Sequence, residues 1–77
     1  MVTPTNIKSW IEQNLEDSAV EIDGDGHHFE AEIICPNFDG KSRIQRHQMV
    51  YAALGDKMKS EIHALSMRTL TPDEKQA

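Results

Sequence analysis

Seventy-seven residues with 38% hydrophobic content make one small folded domain, too apolar for general disorder and thin enough in core that a stabilising partner or metal would be unsurprising. A formal net charge of -5 opposes non-specific attraction to nucleic acid, which depends on cations displacing counterions from phosphates. The lone Cys35 excludes an internal disulfide and fits a reducing compartment. With no leader pattern and no apolar run near the ~20 residues that span a bilayer, a soluble cytoplasmic protein is expected.

Thr3-Pro4 reads as a helix N-cap followed by proline at the first helical position, where its missing N–H is harmless. Ile7, Trp10, Ile11 and Leu15 then recur at spacings of three and four, which predicts an amphipathic first helix. In "AVEID", Val20 and Ile22 alternate with Glu21 and Asp23, and Gly24-Asp25-Gly26 supplies the turn of a hairpin. The returning segment "FEAEIIC" puts Phe29, Ala31, Ile33 and Cys35 on one strand face, with Glu30, Glu32 and Ile34 on the other. Cys35 thus reads as a small buried hydrophobe, with no basic sequence neighbour to activate its thiol.

Pro36 ends that strand, and "PNFDGKS" is turn-rich with Phe38 as its anchor. Ser42 caps a second helix whose stripe is His47, Val50, Tyr51, Leu54 and Met58, with Gly55 a weak point near its end. The last regular piece, "IHALSMRTL", alternates His63, Leu65 and Met67 with Ala64, Ser66 and Arg68 and predicts a third strand. Residues 3–70 are therefore expected to be ordered, and the polar residues 71–77 to form a loose tail. The order α-β-β-α-β implies an α+β fold: a two-layer α/β sandwich with a three-stranded sheet, an antiparallel first hairpin and a parallel pairing after the helical crossover.

Sequence patterns for catalysis are missing. There is no G-x-S-x-G elbow, no helix-starting cysteine and no Walker loop, and Glu30 and Glu32 read as solubilising acids, so no enzymatic activity is expected. The histidines His27, His28, His47 and His63 remain as donors. His47 reads as a buried hydrogen-bonded residue of its helix, and His63, by pattern alone, as a partly buried structural one. In so small a sheet the hairpin turn and the start of the third strand can lie together, bringing His63 near His27 or His28. Two donors make an incomplete metal site, open to completion by a second molecule.

The blocks "FDGKSRIQRHQMVYAAL" and "IHALSMRTLTPDE" resemble the BolA family, in its short acidic bacterial form. The resemblance spans the first helix through Pro72 and rests on Phe38, Gly40, Arg46-His47, Val50, Ile62-His63-Ala64-Leu65 and Thr71-Pro72. It implies a single BolA-like domain over residues 1–77 with a class II KH-like fold, matching the element order read from periodicity. It also implies a monothiol glutaredoxin as partner, with a [2Fe-2S] cluster held between the two proteins. The glutaredoxin cysteine and glutathione supply two ligands and the BolA-like chain the others, with no cofactor expected on the isolated chain. The implied roles are iron-sulfur trafficking or iron and stress regulation.

By this resemblance His63 is the C-terminal ligand. The second ligand is a Cys or His of the hairpin loop, and here the sequence departs from the family pattern: the position four residues before Phe29, where relatives carry cysteine, is Asp25. A carboxylate suits iron-sulfur iron less well than thiolate or imidazole. His27 can substitute if the turn bends, whereas His28 points the other way in a regular strand. An alternative reading is a DNA-binding transcriptional regulator contacting DNA through Lys41, Arg43 and Arg46; the net charge and the single glycine of "FDGKS", in place of a G-x-x-G clamp, oppose it. A third is a metal-free interaction module whose histidines respond to pH.

Overall fold

The computed structural model describes residues 2–77. Helix α1 spans Pro4–Asn14, and a hairpin of strands β1 (Ala19–Gly24) and β2 (His28–Ile34) follows. A 3-10 turn at Pro36–Phe38 leads to helices α2 (Arg43–Leu54) and α3 (Lys57–Ser60), then to strand β3 (Ala64–Leu70) and helix α4 (Pro72–Gln76). The sheet order is β1-β2-β3, with β1 antiparallel and β3 parallel to the central β2. The fold is the expected α+β sandwich with a three-stranded mixed sheet.

Both long helices begin on a reciprocal cap. Thr3 Oγ1 accepts from the Asn6 N–H while the Asn6 side chain accepts from the Thr3 N–H, and Ser42 and Gln45 repeat the arrangement at α2. Ile7 and Ile11 of α1 with Leu15 at its C-cap, and Val50, Ala53 and Leu54 of α2, pack on Val20, Phe29, Ala31 and Ile33 of the sheet and on Cys35 just after it. Each large side chain fully buried there contributes about 1.5–3 kcal/mol of transfer free energy. The α1–β1 junction is strapped by polar groups as well: Lys8 Nζ donates to the Val20 carbonyl (2.7 Å) and to Glu12 (2.8 Å), whose carboxylate accepts from the Val20 N–H (3.0 Å).

Four details differ from the sequence expectation. Tyr51 is exposed and Ala53 is buried, because at ~100° per residue Tyr51 sits on the shoulder of the stripe centred on Val50. Gly55, at φ 56°, ends α2 outright, and Met58 belongs to the separate α3. His63 precedes β3 and is exposed, so the packed structural role its alternation suggests does not apply; Ile62 beside it carries the burial. Finally, residues 71–77 form a capped helix in place of a loose tail. Thr71 Oγ1 accepts from the Glu74 N–H, Glu74 accepts from the Thr71 N–H, and Lys75 reaches Glu32 at 2.6 Å.

Candidate metal centre at the hairpin tip

The tip is shaped by Gly24, Asp25 and Gly26. Gly24 lies opposite Phe29 in the ladder, and a Cβ there would press on the Phe29 ring and stand 2.6 Å from the His28 carbonyl oxygen. Gly26 takes φ 98°, a left-handed conformation that glycine adopts without penalty. Asp25 braces the turn between them: its Oδ1 accepts from the backbone N–H groups of His27 (2.9 Å) and His28 (2.8 Å), and its own N–H donates to the His28 carbonyl (3.2 Å). The His28 and His27 N–H groups hold the Asp25 carboxyl below its ordinary range by favouring the charged form.

The start of β3 is fastened to this turn. The Ala64 N–H donates to the His27 carbonyl at 3.1 Å, and the parallel register sets His28 beside Ala64. The same register puts His27 next to His63, with ring centroids 6.1 Å apart and planes at 87°. Both rings are exposed just beyond the end of the core, and neither makes a hydrogen bond to another described residue. Of the loop candidates, His27 is therefore the one whose ring faces His63. His28 projects from the opposite sheet face with Glu30 and Glu32, where its Nε2 lies 3.4 Å from Ser66 Oγ. Asp25 is exposed, with one carboxylate oxygen occupied by the turn.

The remaining candidates stand apart from the tip. Cys35 is buried beyond the far end of β2, with its Sγ 3.4 Å from the Glu16 carbonyl, as the packing reading expects. His47 lies half-buried on α2 with a buried Nε2 that has no partner among the described residues, in place of the hydrogen bond expected for it; burial, and secondarily Arg43, lower its pKa from the ordinary value. Of the three cations proposed for DNA contact, Lys41 and Arg43 are exposed, but Arg46 is engaged in the fold. Its guanidinium donates to the Lys41 carbonyl (3.0 Å), the Thr69 carbonyl (3.1 Å) and both Glu74 oxygens (2.6 and 3.1 Å), and lies over the Phe38 ring. No group of three or more His, Cys, Asp or Glu side chains capable of holding a metal ion occurs among the described residues.

The model of the BolA-like protein family matches residues 7–74. The chain belongs to the BolA-like family. A bolA protein homologue from Coxiella burnetii is 54% identical, covers 100% of both chains and superposes with a TM-score of 0.95. Protein BOLA2 of Arabidopsis thaliana is 39% identical over 88% of this chain and 76% of its own length. The BolA domain of SufE1 from the same plant is 31% identical, with a TM-score of 0.78 over 92% of this chain and 93% of that one. Two further curated relatives are longer, and this BolA-like chain spans 47% and 56% of their lengths. No helix of the described BolA-like chain is long and apolar enough to cross a membrane.

Asp25 and α4 are the parts whose roles sequence reasoning missed. Asp-Gly chemistry marked the turn without showing that Asp25 would brace the two following N–H groups. For α4 the signal was present: Thr71-Pro72 with Glu74 two residues on repeats the cap-and-proline start read at Thr3-Pro4, with an acid at the third helical position.

Proposed function

We propose that the protein is the partner of a monothiol glutaredoxin and shares with it a [2Fe-2S] cluster, His63 and His27 being its own ligands. The observation that carries this reading is the facing pair of exposed imidazoles, 6.1 Å between centroids, at the meeting of the hairpin tip and β3. The donor set suits the group. Imidazole is a borderline ligand accepted by iron, both rings reach solvent, and two donors from one chain leave the other positions to the glutaredoxin cysteine and to glutathione.

Within the chain the roles divide. The Asp25 carboxylate fixes the turn, and the bond from the Ala64 N–H to the His27 carbonyl fixes the spacing of the two histidines. The rings themselves are free to rotate onto a ligand. A cluster bound through neutral imidazoles carries less negative charge than an all-thiolate one, so it has a higher potential and is more easily passed on. Iron-sulfur trafficking or iron and stress regulation follows from that property.

The test is reconstitution of the full chain with a monothiol glutaredoxin, glutathione, iron and sulfide, followed by absorption and circular dichroism. The expected result is a heterocomplex spectrum distinct from that of the glutaredoxin homodimer. An unchanged spectrum with His63→Ala would remove the ligand assignment, and failure of the wild-type chain to change the glutaredoxin spectrum would remove the partnership.

A further inference from the structure

The two edges of the sheet are protected differently. On β1 the strap from Lys8 and Glu12 occupies both the carbonyl and the N–H of Val20. On β3 the backbone groups of alternate residues turn inward to β2, as the Ala64 N–H to His27 and the Leu70 carbonyl to the Cys35 N–H establish. Leu65, Met67 and Thr69 therefore present theirs to the outside, and Arg46 confirms that direction by donating to the Thr69 carbonyl. Arg46 covers only that last group. The N–H and carbonyl groups of Leu65 and Met67, and the Thr69 N–H, have no partner among the described residues.

A groove runs beside this edge along Met67–Leu70 and is walled by the N-terminal part of α2. Lys41, Arg43 and Arg68 line it without a close carboxylate partner: Lys41 and Arg43 make no ion pair among the described residues, and the one at Arg68 is long, 3.7 Å to Glu32. The other carboxylate at this groove, Glu74, is held by Arg46, so Lys41, Arg43 and Arg68 leave it cationic on a protein whose net charge is -5. Exposed strand edges recruit another strand through main-chain hydrogen bonds, with side-chain surroundings selecting which one.

We propose that the open edge of β3 accepts an extended, acidic peptide segment of a partner protein as a fourth strand. Main-chain bonds to Leu65, Met67 and Thr69 give the affinity, carboxylates on the segment's face toward α2 meet Lys41 and Arg43, and Arg68 is met from the opposite face. A second copy of this chain fits less well, because pairing two β3 edges around a two-fold axis sets the same three cations of each copy against one another. Nucleic acid fits less well because it lacks the alternating donors and acceptors of an extended peptide backbone. The groove, along Met67–Leu70, begins four residues, roughly 13 Å, beyond His63, and the proposal uses neither imidazole, so it does not depend on a cluster.

The test titrates the isotope-labelled full chain, at low ionic strength, with three probes: a short blocked peptide of alternating Glu and Val, its Lys–Val counterpart and a single-stranded oligothymidylate. The acidic peptide is expected to shift the Leu65, Met67 and Thr69 amides, to slow their hydrogen exchange, and to bind about tenfold or more tightly than the basic one. Met67→Pro deletes an outward N–H that the β2–β3 ladder does not use and is expected to abolish binding while the fold persists. Should that variant unfold, Lys41→Glu with Arg43→Glu decides, since both side chains are exposed and outside the ladder; reversed charge is expected to invert the preference between the peptides. Absence of binding by the acidic peptide, equal binding of the two peptides, shifts elsewhere on the chain, binding of the oligothymidylate alone, or an unaltered preference in the charge-reversed variant would each overturn the proposal.

Discussion

The two ends of β3 use their polar groups in opposite ways. At its C-terminal end Arg46 satisfies two backbone carbonyls and both oxygens of Glu74, drawing α2, β3 and α4 together, and little of its side chain reaches solvent. At its N-terminal end the backbone is fastened, by the Ala64 N–H to the His27 carbonyl, while the imidazoles of His27 and His63 stay unbonded and exposed. A side chain already satisfied by the fold offers nothing to a partner. The contrast places Arg46 in the stability of the fold and leaves the histidine pair free for the recognition role proposed for it, although both were candidate binding residues in the sequence.

The contrast breaks most severely at Gly24. Gly24→Ala forces a methyl against the Phe29 ring and the His28 carbonyl, and is expected to destabilise by about 1–3 kcal/mol and to separate His27 from His63, read by chemical denaturation and by histidine ring shifts. Arg46→Ala is expected to lose roughly 2 kcal/mol through its carbonyl and carboxylate bonds and to fray α4, with the His27–His63 pair unmoved. A loss of stability without any response in α4 would contradict the tying role.

Acid should act at the same C-terminal end. Arg46, and secondarily the Thr71 N–H, lower the Glu74 carboxyl to about 2. Its folded-state value lies below the ordinary 4.5, so its stabilisation is complete above that pH and is lost as pH falls from there toward about 2; Glu74→Gln should remove this part of the acid limb. His47, lowered from 6.5 by burial and then by Arg43, has the same sign: stability is present above about 6.5 and declines as the imidazole is forced to charge, a slope that His47→Gln should flatten. The smallest effect belongs to the tip. His27→Ala and His63→Ala remove exposed, unbonded rings and should each change stability by less than about 0.5 kcal/mol.

Much of this arrangement was legible in the sequence because it rests on period and punctuation. Alternation placed Phe29, Ala31, Ile33 and Cys35 on the buried face, and cap-proline chemistry started α1 at Pro4. The facing of His27 and His63 was legible only as one alternative, since it depends on the register of a parallel pairing between strands nearly forty residues apart, which no local pattern sets. Tyr51 borders the buried stripe of Val50, Ala53 and Leu54, and spacing alone does not separate a stripe's edge from its centre. The polarity of residues 71–77 predicts a tail, but α4 is held by long-range charge pairs, Arg46 with Glu74 and Glu32 with Lys75, and composition does not report a partner's location.

The central claim, that His27 and His63 are the chain's donors to a shared cluster while Asp25 serves the turn, is tested most directly by reconstituting the glutaredoxin heterocomplex with single variants and comparing circular dichroism in the visible range. His27→Ala and His63→Ala should each alter or abolish the heterocomplex spectrum while the free chains remain folded, and Asp25→Asn, which keeps an oxygen to accept the His27 and His28 N–H groups, should leave it close to wild type. A spectrum indifferent to His27→Ala but altered by Asp25→Asn would contradict the account.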